Sequence, residues 1–158
     1  MLLHFINCNF TNVHDLVLKN SPQFHLKYDE CHDGLVYNLD IKVNTTAQIN
    51  LVKHFATGPL VMFPFNTDGI DPSGARFHIY NITVQNFDDV VVPKPLDDSF
   101  DCTRDMLIEN ATVRLGIGMA IGSLSPSAGR DCIRNITARN WRMVRPIKSI
   151  YVKSNPGH

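Results

Sequence analysis

Apolar and polar residues alternate in five stretches of this chain that resemble one another: VHDLVLKN, LVYNLDIKV, HIYNITVQN, LIENATVRL and TARNWRMVR. Aligned, they put Asp15, Asn38, Asn81, Asn110 and Asn140 in one column. Leu16, Leu39, Ile82, Ala111 and Trp141 follow directly, and Leu18, Ile41, Val84, Val113 and Met143 come two positions later. A period of two marks strands, and no stretch carries the helical period. The column residues are 23, 43, 29 and 30 positions apart, so the repeat is imperfect and one unit holds a long insertion, roughly 45–65.

Repeats of this length built from short strands predict an all-β chain wound as a parallel β-solenoid. Each coil would bury its apolar column on that of the next, with strands about 4.8 Å apart. Asn and Asp suit the column because they tolerate the left-handed turn between strands. Their amides can also bond along the stack. An antiparallel β-sandwich is the competing reading. It would need hairpin turns, and the sole Asp-Gly outside the NTDG turn is Asp33-Gly34.

Composition narrows the classes. The 158 residues suffice for one domain, and 15 basic residues balance 15 acidic ones, which leaves no electrostatic footprint for nucleic acid or an anionic membrane. No apolar run approaches the ~18–20 residues of a membrane span. Five Asn-x-Ser/Thr sequons, at Asn9, Asn44, Asn81, Asn110 and Asn135, point to secretion. The start, MLLHFINCNF, lacks a basic leader. The two observations agree if the chain is an internal piece of a secreted protein, a solenoid truncated at both ends and monomeric at full length. Asn81 and Asn110 also belong to the ladder, and a buried ladder amide would carry no glycan. Cys102 and Cys132 precede equivalent coil positions by the same three residues. They are the expected disulfide partners if oxidised, and two reduced core cysteines are the alternative.

Candidate chemistry gathers in FPFNTDGIDPSGARFHIYNITVQNFDDVVVPK. Asp68 precedes the third ladder residue, and Asp88 and Asp89 follow it, at an offset of about one coil. In a right-handed solenoid the three fall on one sheet of adjacent coils. Carboxylates so close cannot all ionise, so one should keep a proton. A protonated acid beside ionised carboxylates is what glycosidic cleavage requires. No other chemistry competes. The seven histidines lack metal spacing, Cys31 to Asp33 read as a turn, and GIGMAIGS lies in a strand pattern that argues against dinucleotide binding. Trp141 reads as core. No cofactor and no metal are expected.

Four segments in order, NTDGID, NFDDVVVPK, LGIGMAIGSL and SIYVKSNPG, resemble the signature of the polygalacturonases, the pectin-cleaving glycoside hydrolases of family 28. That family's pattern runs Asn-Thr-Asp, Gly-Asp-Asp, Gly-His-Gly and Arg-x-Lys on successive coils of a right-handed parallel β-helix. The resemblance implies that Asp88 is the general acid, and that Asp68 and Asp89 position and deprotonate the water, with inversion. It implies that Asn66 supports substrate binding and that Lys153 meets a galacturonate carboxylate. Lys94 matches a basic position after the aspartate pair. The partner so implied is a pectic polysaccharide and the compartment extracellular.

Three positions depart from the pattern. Ile117 stands for the His, Tyr151 for the Arg, and Phe87 for the Gly of the turn holding the acid, which it would reshape. Arg145 and Lys148 lie nearby at the wrong spacing. The carboxylates survive while half of the substrate-recognition set does not. That leaves two alternatives to a pectin hydrolase of the usual type: a polysaccharide-binding solenoid without turnover, and a hydrolase of a rhamnose-containing pectic chain.

Overall fold

The computed structural model describes residues 1–47, 50, 66–96, 101–125 and 131–154. Most of the expected insertion at 45–65 lies outside them; residues 45–47 are helical. Eight strands account for most of the rest: β1 (Leu3–Ile6), β2 (Asn12–Lys19), β3 (Leu26–Lys42), β4 (Ile70–Asn86), β5 (Thr103–Leu115), β6 (Met119–Leu124), β7 (Ile133–Val144) and β8 (Ile150–Ser154). All strand pairs are parallel. The main sheet runs β1-β3-β4-β5-β7 with β2 also on β3, and β6 pairs with β8. Bridges from Ile70 to Val91 and from Val91 to Met119 join that second stack to the start of β4. The chain is a parallel β-helix.

The long strands turn corners. Asp15, Asn38, Asn81, Asn110 and Asn140 all hold positive φ, between 52° and 58°. Their neighbours pair in register, Leu16 to Leu39 to Ile82 to Ala111 to Trp141. The five side chains therefore stack in consecutive rungs. Asn38 Nδ2 donates to Asp15 Oδ1 at 2.8 Å, Asn81 Nδ2 to Asn38 Oδ1 at 3.5 Å, and Asn140 Nδ2 to Asn110 Oδ1 at 3.3 Å.

The ladder is not buried, contrary to the expectation from sequence. All five residues are exposed, because a left-handed corner swings the side chain out of the sheet. Burial thus does not separate Asn81 and Asn110 from the other sequon residues, Asn9, Asn44 and Asn135, which are exposed as well.

A second corner lies five residues before the first. Phe10, Asp33, Arg76, Asp105 and Asn135 have φ of 53° to 59° and occupy one register row. Arg76 forks onto Asp33 at 2.7 and 2.8 Å, and Asn135 donates to Asp105 at 2.6 Å. Inside these corners the apolar columns close the core. Leu39, Ile82 and Ala111 are at most 2 % exposed. Trp141 covers the small Ala111 of the preceding coil, and its Nε1 donates to Ile108 O at 3.1 Å. Tyr28 stacks on Phe5 and meets Phe77 edge-on.

Cys102 and Cys132, the residues immediately before β5 and β7, are joined by a disulfide with Cα atoms 4.6 Å apart. Cys8 and Cys31 also lie one coil apart and remain thiols. Among the described residues no helix is long and apolar enough to cross a membrane.

Candidate active site

The second stack carries the carboxylates. Gly69 N donates to Asp89 O and Ile70 N to Val90 O, at 2.9 and 3.0 Å, so the NTDG turn lies directly on the NFDD turn of the next coil. Asn86 clamps the two: its buried Nδ2 donates to Thr67 O at 2.9 Å and to Asp89 O at 2.8 Å. Phe87 N donates to Thr67 Oγ1 at 3.0 Å. Phe87 is buried and is not among the left-handed residues, so its backbone here does not require a glycine. Gly116 of the following coil is needed. Its φ is +79°, and a Cβ there would lie 2.3 Å from Asn86 Oδ1.

These contacts bring Asp68, Asp88 and Asp89 together. One carboxylate oxygen from each lies within 4.8 Å of the others, and all three residues are buried. Asp88 is held by main-chain amides, from Asn66 N at 2.7 Å and from Asp89 N at 2.9 Å. Asp89 is fully enclosed. Its Oδ1 accepts from Tyr151 Oη at 2.5 Å, and its Oδ2 accepts from the Lys153 ammonium. Asp68 Oδ1 has no partner. Burial, reinforced by Asp88, pushes Asp68 up to about 7. The retained proton therefore rests on Asp68. Three oxygens so placed could ligate a cation, but Asp88 and Asp89 already have both of theirs engaged, which leaves Asp68 as the open one.

Of the substrate-binding candidates, Asn66 stands exposed at the edge, at φ 63°, and holds Asp88 through its backbone. Lys153 does not project free towards a substrate carboxylate: Asp89 has it. Burial alone would lower the Lys153 pKa, but its bonds to Asp89 and Tyr151 outweigh that and hold it above the ordinary value. Burial, with Asp89 beside it, pushes the Tyr151 phenol up to about 12. Ile117 is half-buried, and its amide donates to Asp88 O at 2.8 Å. Lys94 makes no hydrogen bond to this group, but its charge acts on Asp68 against the effect of burial, and its ammonium is 5.8 Å from the centre of the Phe24 ring.

Three residues at the site have no counterpart in the sequence reading. Asp71 is fully buried with neither carboxylate oxygen partnered; burial first, then Asp68, raises its pKa well above the usual range. It follows Asp68 by three in NTDGID, the only available signal. His25, fully buried, donates from Nδ1 to Asp68 O at 2.9 Å, while its Nε2 accepts from Ser21 N at 3.3 Å. Burial lowers its pKa, so it is a neutral strut under Asp68. Asn86 precedes the aspartate pair and looks like one more strand-end amide.

The sequence matches the family described as Glycosyl hydrolases family 28 over residues 1–158. It is similar to a protein named "Probable rhamnogalacturonase E" from Aspergillus niger, 32% identical over 156 residues that cover 99% of this chain and 29% of that protein. It is also similar to "Probable rhamnogalacturonase B" from Aspergillus fumigatus, 30% identical over 156 residues, covering 99% of this chain and 25% of that one. The chain thus spans less than a third of the length of these relatives. With the whole chain matched and the carboxylates on adjacent coils of a parallel β-helix, the chain belongs to glycosyl hydrolases family 28.

Proposed function

We propose that the full-length protein is a glycoside hydrolase that cuts the backbone of a pectic polysaccharide. The observation that carries this reading is the trio of buried carboxylates within 4.8 Å, one of which holds a proton up to about pH 7. In this reading Asp88 protonates the leaving glycosidic oxygen, and Asp68 and Asp89 hold and deprotonate the water. Below about pH 7 Asp68 holds the proton, which must pass to Asp88 before Asp68 can take one from the water.

The reading takes the reaction as inverting. Carboxyl groups about 5–5.5 Å apart are usual for retaining enzymes and about 6.5–9.5 Å for inverting ones, so spacing alone favours retention. The bonding opposes it. Tyr151 and Lys153 engage both oxygens of Asp89, which weakens it as a nucleophile towards carbon. The anomer first formed, read by NMR during hydrolysis, tests this. An inverted product is expected, and a retained one would recast one of the pair as the nucleophile.

Within the pectic polymers a rhamnose-containing backbone is the better fit. Next to Asp89 the family's Arg is Tyr151, its His is Ile117, and Lys153 is bound by Asp89, so neither family position offers a free cation to a uronate; the exposed Lys148 on this flank lies with its ammonium 4.3 Å from the centre of the Tyr151 ring. The names of the relatives point the same way. Reducing-end release by the full-length protein is to be compared on rhamnogalacturonan and on de-esterified polygalacturonan. Faster release from the first is expected. Binding without release from either would instead establish a solenoid without turnover.

A further inference from the structure

Resting on that reading, we infer that the cavity beside Lys94, one coil from the NTDG turn, is a subsite for a uronate sugar. Lys94 would take the sugar's carboxylate and Phe24 would lie against its ring. A cavity of about 520 Å³ opens there, lined by Phe24, Lys27, Asp29, Glu30, Ser73 and Lys94 among others. That volume is within the range of about 300–1,000 Å³ usual for ligand pockets.

Register places the cavity beside the chemistry. His25 N donates to Asp68 O, so Phe24 sits one coil from the NTDG turn. Lys94 N donates to Pro72 O at 2.9 Å, which fixes Lys94 next to Ser73, whose hydroxyl donates to Pro95 O at 3.0 Å.

The charges on the lining are unequal in kind. Lys27 is paired with Asp29 at 2.8 Å, and Asp29 also takes His4 at 2.6 Å. Glu30 stands exposed at the rim, on a left-handed corner. The Lys94 ammonium makes no ion pair among the described residues, although its charge acts on buried Asp68 and Asp71, and the Phe24 ring centre lies 5.8 Å from it. It is a half-buried cation facing a cavity with a ring beside it. A carboxylate joined to a pyranose matches both features: a charge-assisted hydrogen bond for the acid, and an apolar face for the sugar ring.

The test is binding, so that it does not depend on turnover. Full-length protein carrying Asp88→Asn, alone or with Lys94→Gln, is titrated calorimetrically with rhamnogalacturonan oligosaccharides and with the same oligosaccharides after reduction of their carboxyl groups. Lys94→Gln should weaken binding of the native oligosaccharide ~10-fold or more, the worth of one charge-assisted hydrogen bond, and leave binding of the reduced one unchanged. Lys94→Arg should restore most of the loss, and Phe24→Ala should weaken both ligands. Equal losses on both ligands, or no loss, with Lys94→Gln overturn the inference. Absence of cleavage by the wild type would instead count against the hydrolase reading and leave this comparison standing.

Discussion

Two rows of polar residues run along this β-helix, and they obey opposite rules. The corner row of Asp15, Asn38, Asn81, Asn110 and Asn140 is exposed, and its amides bond to one another up the stack. The row on the second stack, with Asp68, Asp71, Asp88 and Asp89, is buried, and three of its oxygens, one on Asp68 and two on Asp71, have no partner. Buried polar groups are nearly always satisfied, and an orphaned carboxylate in the interior costs stability. Polar residues thus stabilise the fold where water and neighbours satisfy them, and serve chemistry where they are left unsatisfied. Substitutions in the buried row should cost activity, and substitutions in the exposed row should cost stability.

The largest effect belongs to Asp88. In the full-length protein Asp88→Asn should lower kcat by about 10²- to 10⁴-fold, since an amide cannot give a proton to the leaving oxygen. Circular dichroism should not change and the melting temperature should fall only modestly, because the Asn66 and Asp89 amides bond to different oxygens of Asp88 and Asn can accept from one of them. Cleavage at the wild-type rate would remove Asp88 from the acid role and blur the distinction between the two rows.

Next comes Asp68, where activity and stability should part company. Its folded pKa of about 7 stands above the usual 3.8, so between those values the folded protein holds a proton that the unfolded chain has lost. Stability from this group is therefore full below pH 3.8 and declines as pH rises to about 7. Melts at a series of pH values should show that decline, and Asp68→Asn should lessen it, leaving the share of Asp71, while abolishing activity. Above pH 7 the variant should melt higher than the wild type. A pH profile of stability unchanged by the substitution would mean that the proton is held elsewhere.

A smaller effect is expected at Tyr151. Tyr151→Phe removes the hydroxyl from Asp89 Oδ1 and leaves that oxygen enclosed with no donor, a loss of about 1–3 kcal/mol. Part of it should appear as lower kcat on rhamnogalacturonan, and KM should hardly change if the hydroxyl serves Asp89 and not the sugar. A rise in KM with unchanged kcat would move Tyr151 from positioning the carboxylate to binding substrate.

The exposed row was legible in the sequence and much of the buried row was not, for a physical reason. Asn and Asp recur in the first column because few residues tolerate a left-handed corner, so the constraint left a chemical trace. The corner five residues earlier has the same backbone, but Phe10 and Arg76 stand among its acids and amide and hide the period. The carboxylate trio could be placed on one sheet because strand registry follows from spacing. Which member holds the proton depends on burial and on missing partners, and no pattern of residue types encodes those. Asp71 and His25 escaped for that reason, and the engagement of Lys153 by Asp89 depends on side-chain reach between coils. The exposure of the ladder was misjudged because stacking in register was equated with burial.

The smallest expected effect on activity tests the exposed row itself. Asn81 sits at φ 52°, donates to Asn38 and occupies the middle of the ladder. Asn81→Ala removes the amide and places a side chain with no polar compensation in the left-handed region, at a cost of about 1–2 kcal/mol for the backbone alone. Asn81→Gly also removes the amide but adopts that backbone freely. If the corner is chiefly a conformational device, the Gly variant should melt close to wild type and the Ala variant several degrees lower, with cleavage rates the same for all three. If Gly and Ala fall together, the stacked amides carry the stability. The hydrogen bond from Asn81 to Asn38 is long, at 3.5 Å, which argues for the backbone. A loss of activity in either variant, at a temperature where both are folded, would show that the two rows are coupled through the coil and are not separate devices.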